Sequence, residues 1–277
     1  MEEMRSCDFS KYNPFNTGNV HYDPEQFEKS KIENYNRLRI EDETGIECSL
    51  CGNKRYILFW DEETKQRRSR DCACRAKRVS IERLQKQNLL IRVSSDTFED
   101  FNAVEPYQKT MLDTAEKYVS EERPMWLMLC GQTGTGKTHL CNAVFLQMCF
   151  GRCWDGRYFE WNRDSRQVKS KAISGDETVF DGYKTCDLLY IDDLFKTKDG
   201  IDPTDADIRL AFELLNHRYN NRLPTIISSE KSIDEIMRLD EAGAGRIKEM
   251  CGEYLVSIAR DSKKNYRIYG NCDTRKK

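Results

Sequence analysis

Gly131, Gly136, Lys137 and Thr138 stand at the spacing G-x-x-x-x-G-K-T within GQTGTGKT. That spacing suits one chemistry. Glycines let backbone N–H groups close around a polyphosphate, the lysine reaches its terminal phosphates, and the hydroxyl ligates Mg2+. Gly131, Gln132, Thr133, Gly134, Thr135, Gly136, Lys137, Thr138 and His139 are therefore candidates for ATP contact, with Lys137 also a catalytic cation. Such a loop works only between a buried strand and a helix, whose N-terminal dipole end adds positive potential. The flanking MWLML and HLCNAVFLQ supply both.

The other half of such a site is an apolar strand ending in acid, and CDLLYIDDLF provides it. Asp192 would hold Mg2+ with Thr138, directly or through water, and Asp193 would polarise the attacking water. Taken alone, adjacent acids after a strand also suit a helix N-cap. Further on, PTIISSE offers Ser229 and Glu230 as contacts for a γ-phosphate or for water. Arg246, expected to open a short helix after a Gly/Ala-rich loop, and Arg267 in KNYRIY are cations that could face developing charge. Each equally suits a solvated surface.

Of 12 cysteines, Cys48 and Cys51 form C-x2-C, and Cys72 and Cys74 form C-x-C, on either side of the hairpin-like KRYILFWDEETKQRRSR. Two close pairs around a short β insert match a closed, structural Zn2+ site with four thiolate ligands. The alternative is four reduced, unliganded thiols. Cys130, Cys141, Cys149 and Cys186 fall in expected core elements, where a thiol acts as a small hydrophobe. The sequence opens without a basic-then-apolar leader and holds no apolar run of the roughly 20 residues a membrane span needs. A reducing cytoplasm and no membrane partner are expected. The net charge of -2 leaves nucleic-acid affinity to local patches. Two exist: Lys65, Arg67, Arg68, Arg70, Arg75, Lys77, Arg78, Arg83 and Lys86, and then Arg163, Arg166, Lys169 and Lys171. Either suits a phosphate backbone or a solvated face.

The elements that must position these residues read as α/β. Apolar strands are expected at Met125–Leu129, Arg157–Trp161, Asp187–Ile191, Thr225–Ser228 and Tyr254–Ile258, with helices between them, which implies a parallel sheet flanked by helices. The expected helices are Pro24 to about Arg39, Tyr107–Val119, Lys137–Phe150, Arg163–Ile173, Ile208–Asn220, Ile233–Met237 and Arg246–Met250. The organisation is an N-terminal module over residues 1–93, with the cysteine pairs and a basic linker helix, followed by a nucleotide-binding domain over 94–277.

The order of DTFEDFN, GQTGTGKTHL, DLLYIDDLF, NNRLPTIISSE, GAGRIKEM and KNYRIY behind a cysteine-paired module resembles the bacterial and phage replicative helicase loaders, the DnaC/DnaI-type AAA+ ATPases, in the form carried by Gram-positive phages and prophages. The resemblance covers about residues 46–270. It implies a P-loop AAA+ (ASCE) fold and an ATPase whose hydrolysis is regulatory. Gly131 to Thr138 become the Walker A loop, and Asp192 with Asp193 the Walker B acids. It further implies that Arg246 is an arginine finger acting in a neighbouring subunit's site and that Arg267 is a sensor arginine. The implied cofactors are ATP, Mg2+ and Zn2+. The implied partners are a DnaB-type helicase hexamer, gripped by the zinc module, single-stranded DNA, and further copies of the chain in a spiral. The family's polar sensor is often Asn, and here Ser229 or Glu230 stands there. A transposition-helper ATPase of the IstB type shares this core and is the alternative function.

Overall fold

The computed structural model describes residues 23–86, 96–197, 201–261 and 264–265. The chain divides into two compact units, Met1–Arg75 and Ala76–Lys277.

In the first unit, α1 (Pro24–Arg37) starts where Asp23 accepts from the backbone N–H groups of Glu25 and Gln26, with Pro24 in the first turn. β1 (Tyr56–Asp61) and β2 (Gln66–Asp71) pair antiparallel, with Tyr56 opposite Asp71 and Asp61 opposite Gln66. Asp61 fixes the turn by accepting from the N–H groups of Glu63 and Thr64 at 3.0 and 2.9 Å. The Asn36 amide covers β1 by exchanging two hydrogen bonds with the Leu58 backbone. Within this unit the buried apolar side chains among the described residues are Ile32, Cys51 and Cys72. That is too little for a conventional core.

α2 (Cys74–Lys86) begins at the last paired cysteine. The basic helix, grouped with the cysteine module in the sequence reading, packs for most of its length into the second unit. Leu84 joins an apolar cluster there, the Ser80 hydroxyl donates to the Trp154 carbonyl, and Arg83 pairs with Asp155 at 2.9 Å. This is why the compact units divide at 75/76 rather than 93/94. Residues 87–93 lie outside the described residues.

The second unit holds α3 (Pro106–Ser120), β3 (Trp126–Cys130), α4 (Lys137–Arg152), β4 (Gly156–Glu160), α5 (Trp161–Ile173), α6 (Thr178–Thr185), β5 (Leu188–Asp192), α7 (Asp205–Asn220), β6 (Thr225–Ser229), α8 (Ile233–Leu239), α9 (Glu241–Cys251) and β7 (Leu255–Ser257). The five strands form a parallel sheet in the order β4-β5-β6-β3-β7. Their side chains alternate between two cores. Trp126, Met128, Leu189 and Ile191 face one; Leu127, Leu129, Leu188 and Tyr190 face the other. A sheet covered on both faces explains why the strands read as unbroken apolar runs.

Two elements differ from the sequence reading. α6 was not expected at all, because its TVFDGYKT carries only one fully buried side chain, Phe180. α9 begins five residues before Arg246, capped by Asp240, whose carboxylate accepts from the Gly243 N–H at 2.9 Å. The Gly/Ala run is thus the helix's own first turns, and Arg246 sits mid-helix.

Arg218 ties the back of the sheet together. Fully buried, its guanidinium donates to the carbonyls of Tyr183, Lys184, Cys186 and Pro224 and to the Thr225 hydroxyl, at 2.6–3.1 Å. Arg218→Ala removes the donor of five buried or part-buried acceptors and opens a cavity. It is expected to cost about 3 kcal/mol or more of stability, read by urea unfolding.

Candidate functional site

The carboxyl ends of β3, β5 and β6 lie side by side, since Cys130 registers with Ser229 and Ile191 with Ile227. This is where an open parallel sheet presents its ligand crevice. A cleft of about 350 Å³ opens there, lined by Thr133 to His139, Asp193, Lys196 and Glu230 on one side and by Asp96, Asp100, Phe101, Asn102 and Gln108 on the other.

The loop after β3 folds as its glycines permit. Gly131, Gly134 and Gly136 have φ of 139°, 77° and 95°, and a Cβ on Gly136 would strike the Phe101 ring. Lys137 is 5% exposed, and its Nζ donates to the Gln132 carbonyl at 2.7 Å. Burial pushes its pKa down, against the pull of Asp193 and Glu230. A phosphate replacing that carbonyl would return full charge compensation to a buried ammonium. The Gln132 side chain points away from the cleft, exchanging hydrogen bonds of 2.6 and 2.7 Å with the Asp261 backbone. His139 contacts the Thr97 carbonyl through Nε2 at 2.7 Å and packs against Phe101, pinning the Asp96–Phe101 segment beside the loop.

Asp192, 7% exposed, is enclosed by hydroxyls. Oδ1 accepts from Ser228 at 2.6 Å, Tyr190 at 2.8 Å and Thr138 at 3.3 Å, and Oδ2 accepts from Tyr158 at 2.6 Å. Thr138 and Asp192 are thus adjacent, as joint Mg2+ ligands must be. The sequence reading passed over Tyr158, Tyr190 and Ser228. A signal for one was present: Tyr190 lies two residues before Asp192, hence on the same strand face. Tyr158 is opposite Tyr190 on β4, a pairing that only the sheet register reveals.

Asp193 follows in a left-handed turn, with φ of 59° at both Asp193 and Phe195. Buried Leu194 and Phe195 anchor the turn, and the Ser228 hydroxyl accepts from the Asp193 N–H at 2.9 Å. Burial raises the Asp193 pKa, opposed by its hydrogen bond from Lys196. Of the two sensor candidates, Ser229 is buried and donates to the Leu194 carbonyl, while Glu230 faces the cleft.

Of the two candidate arginines, only Arg246 is among the described residues. Arg246 lies over the rings of Phe212 and Tyr219, 4.9 and 5.4 Å from their centroids, and donates to the Ala242 carbonyl. It does not line the cleft of its own chain. Arg267 lies outside the described residues. In the second basic cluster, Arg163, Lys169 and Lys171 are ion-paired within the chain and Arg166 donates to the Asn162 carbonyl. Of the first cluster, Arg68 pairs with Asp61, Arg75 with Asp71, and Arg78 is buried.

The Sγ atoms of Cys48, Cys51, Cys72 and Cys74 all lie within 4.8 Å of one another. Cys48 and Cys72 are 3.6 Å apart, and Cys51 and Cys74 3.5 Å. Zn–S bonds of about 2.3 Å at tetrahedral angles put sulfurs about 3.8 Å apart, so the set fits Zn2+. Its first knuckle is shaped by left-handed Gly52, Asn53 and Arg55, and by the Asn53 side-chain Oδ1 accepting from the Cys48 N–H at 2.8 Å. A Cβ on Gly52 would collide with the Leu38 carbonyl. Burial opposes ionisation of Cys48, yet the backbone N–H groups of Cys51 and Leu50 bring its thiol down to about 7.

Among the described residues, no helix is long and apolar enough to cross a membrane. A family model described as RNA helicase matches residues 127–233, from β3 to the start of α8. The Bacillus subtilis protein YqaM is 36% identical over 152 residues, covering 54% of this chain and 48% of its own length, so the chain spans about half of that relative. The phage-like element PBSX protein XkdC of Bacillus subtilis is 31% identical over 252 residues, covering 87% of this chain and 90% of its own. The crystal structure of the DnaC helicase loader superposes with a TM-score of 0.54 at 24% identity, over 61% of this chain and 99% of that one. That of DnaI does so at 0.50 and 18%, over 61% and 91%. The chain belongs to the family of the phage-like element protein XkdC, and its P-loop domain has the AAA+ fold of the DnaC/DnaI helicase loaders.

Proposed function

We propose that this chain is an ATP-dependent loader that places a replicative DNA helicase hexamer on single-stranded DNA at the start of replication. The observation that carries this reading is the joining of two things in one chain. One is a set of candidate phosphate-site residues, with Lys137, Thr138 and Asp193 lining one cleft and Asp192 hydrogen-bonded to Thr138, on the fold shared with the DnaC loader. The other is a separate unit built on four clustered cysteines, suited to holding a partner protein. ATP and Mg2+ occupy the cleft and Zn2+ the cysteine cluster. Within residues 1–93 the cysteine unit serves as the helicase-binding module, while 94–277, together with the part of α2 that belongs to the second unit, forms the ATPase domain.

Hydrolysis to ADP and phosphate is regulatory, shifting the chain between states that hold and release helicase and DNA. The sites complete themselves between subunits of a spiral, with Arg246 leaving its aromatic seat to reach a neighbour's nucleotide. Such a move gives up two cation–π contacts of about 0.5–1 kcal/mol each, a modest cost beside that of leaving a transition-state charge unmatched. The work is done in the bacterial cytoplasm.

The test is to mix the purified chain with the replicative helicase of its host and measure the mass of the complex with and without ATP. Several copies on one helicase ring, lost when residues 1–93 are removed, are expected. No complex in either condition overturns the loader reading and leaves a transposase as the partner to try.

A further inference from the structure

A cation that belongs to no recognised motif stands between the two acids of the cleft. The Lys196 Nζ lies 2.8 Å from Asp193 Oδ2 and 2.9 Å from Glu230 Oε1. Its position is built rather than incidental. Leu194 and Phe195, 0% and 1% exposed, lock the preceding turn, and Phe195 packs edge-on against Trp161. The Lys196 N–H donates to the Asp193 carbonyl, which closes the turn and throws the side chain back over the carboxylate. All three charged groups line the same cleft as Lys137 and Thr138.

The charges there do not balance when a third phosphate arrives. Lys196 neutralises one of two facing carboxylates and lies within hydrogen-bonding distance of both. A γ-phosphate at the end of the loop brings more negative charge to the same corner. Even beside Lys137 and a Mg2+ ion held by Thr138 and Asp192, it would meet the Asp193 and Glu230 carboxylates at short range if Lys196 did not stand between them, and like charges repel. ADP, ending one phosphate earlier, brings no such charge.

We propose that Lys196 is the residue by which this cleft distinguishes ATP from ADP, exchanging its carboxylate partners for γ-phosphate oxygens when ATP binds. The exchange has two consequences. It supplies charge-assisted hydrogen bonds to the terminal phosphate, and it releases Asp193 to accept a hydrogen bond from the attacking water. The Lys196–Asp193 ion pair otherwise engages this carboxylate, so the acid is freed only when there is something to hydrolyse. This rests on the reading of the cleft as an ATP site.

The experiment uses the full chain with Mg2+ and reads three things: calorimetric affinity for ADP, affinity for a non-hydrolysable ATP analogue, and steady-state phosphate release. Lys196→Ala is expected to leave ADP affinity within about twofold, weaken the analogue about tenfold, and lower turnover at least tenfold. Lys196→Arg, which keeps the charge and donors, is expected to restore most of the discrimination. Should the alanine variant not fold, Lys196→Gln, which keeps the stem without the charge, carries the test. Equal weakening of ADP and analogue overturns the proposal in favour of a structural ion pair. So does turnover that is unchanged or faster. Failure of the unsubstituted chain to bind either nucleotide overturns the ATP-site reading and this inference with it. Binding and hydrolysis by the unsubstituted chain, with variants indistinguishable from it, sinks the inference alone.

Discussion

Asp193→Asn is expected to lower ATP turnover by about a hundredfold or more while changing MgATP affinity little, because general-base assistance is commonly worth that much. The geometry separates this residue from its neighbour. Asp192 is held by four hydroxyl donors and touches Thr138, so it is oriented to grip a metal ion. Asp193 has left the strand, occupies a left-handed turn and points into the cleft. Burial already raises its pKa against the pull of Lys196, which is the direction that favours a base. Asp192→Asn is expected to behave differently, raising the Mg2+ concentration required as well as lowering turnover. Titrating Mg2+ at fixed ATP for both variants reads the distinction. A Mg2+ optimum shifted equally in both would mean that the two acids share one role.

Removing zinc is the second large effect. A chelator strong enough to strip Zn2+ is expected to unfold the first unit while leaving the P-loop domain folded. Among the described residues, three buried apolar side chains, two of them cysteines of the cluster, are too few to hold fourteen helical residues and a hairpin in place. β2 is exposed along its whole length, so the hairpin contributes little burial of its own. Structural Zn2+ in small modules is worth about 10–16 kcal/mol, far beyond what those contacts supply. One Zn2+ per chain by elemental analysis, and loss of protease resistance before residue 75 but not after it upon chelation, would agree. A first unit that stays protease-resistant without metal would mean that the thiols are simply packed. Cys51→Ser, at a fully buried ligand position, is expected to reproduce the chelated state.

The sequence by itself determined the parts of this protein whose chemistry is local. The phosphate loop needs glycines at fixed offsets between a strand and a helix, so GQTGTGKT could be read directly, and the loop stands at the ligand crevice of the sheet. The same holds for the cysteine pairs, because a metal shell demands its ligands in close pairs, and for strands buried on both faces, because these must be apolar throughout. Tertiary structure decided what depends on partners distant in the chain. Tyr158 meets Asp192 only through the register of β4 on β5. Lys196 reaches Glu230 because β5 and β6 end side by side. Phe101 lies on Gly136 across an intervening helix and strand. Arg246 was expected to open a short helix after a Gly/Ala-rich loop, but the Asp240 cap starts its helix early and α7 offers it two aromatic rings. A motif fixes which atoms can do chemistry. The charges and hydroxyls that restrain those atoms come from other strands, and only the packed sheet brings them within reach.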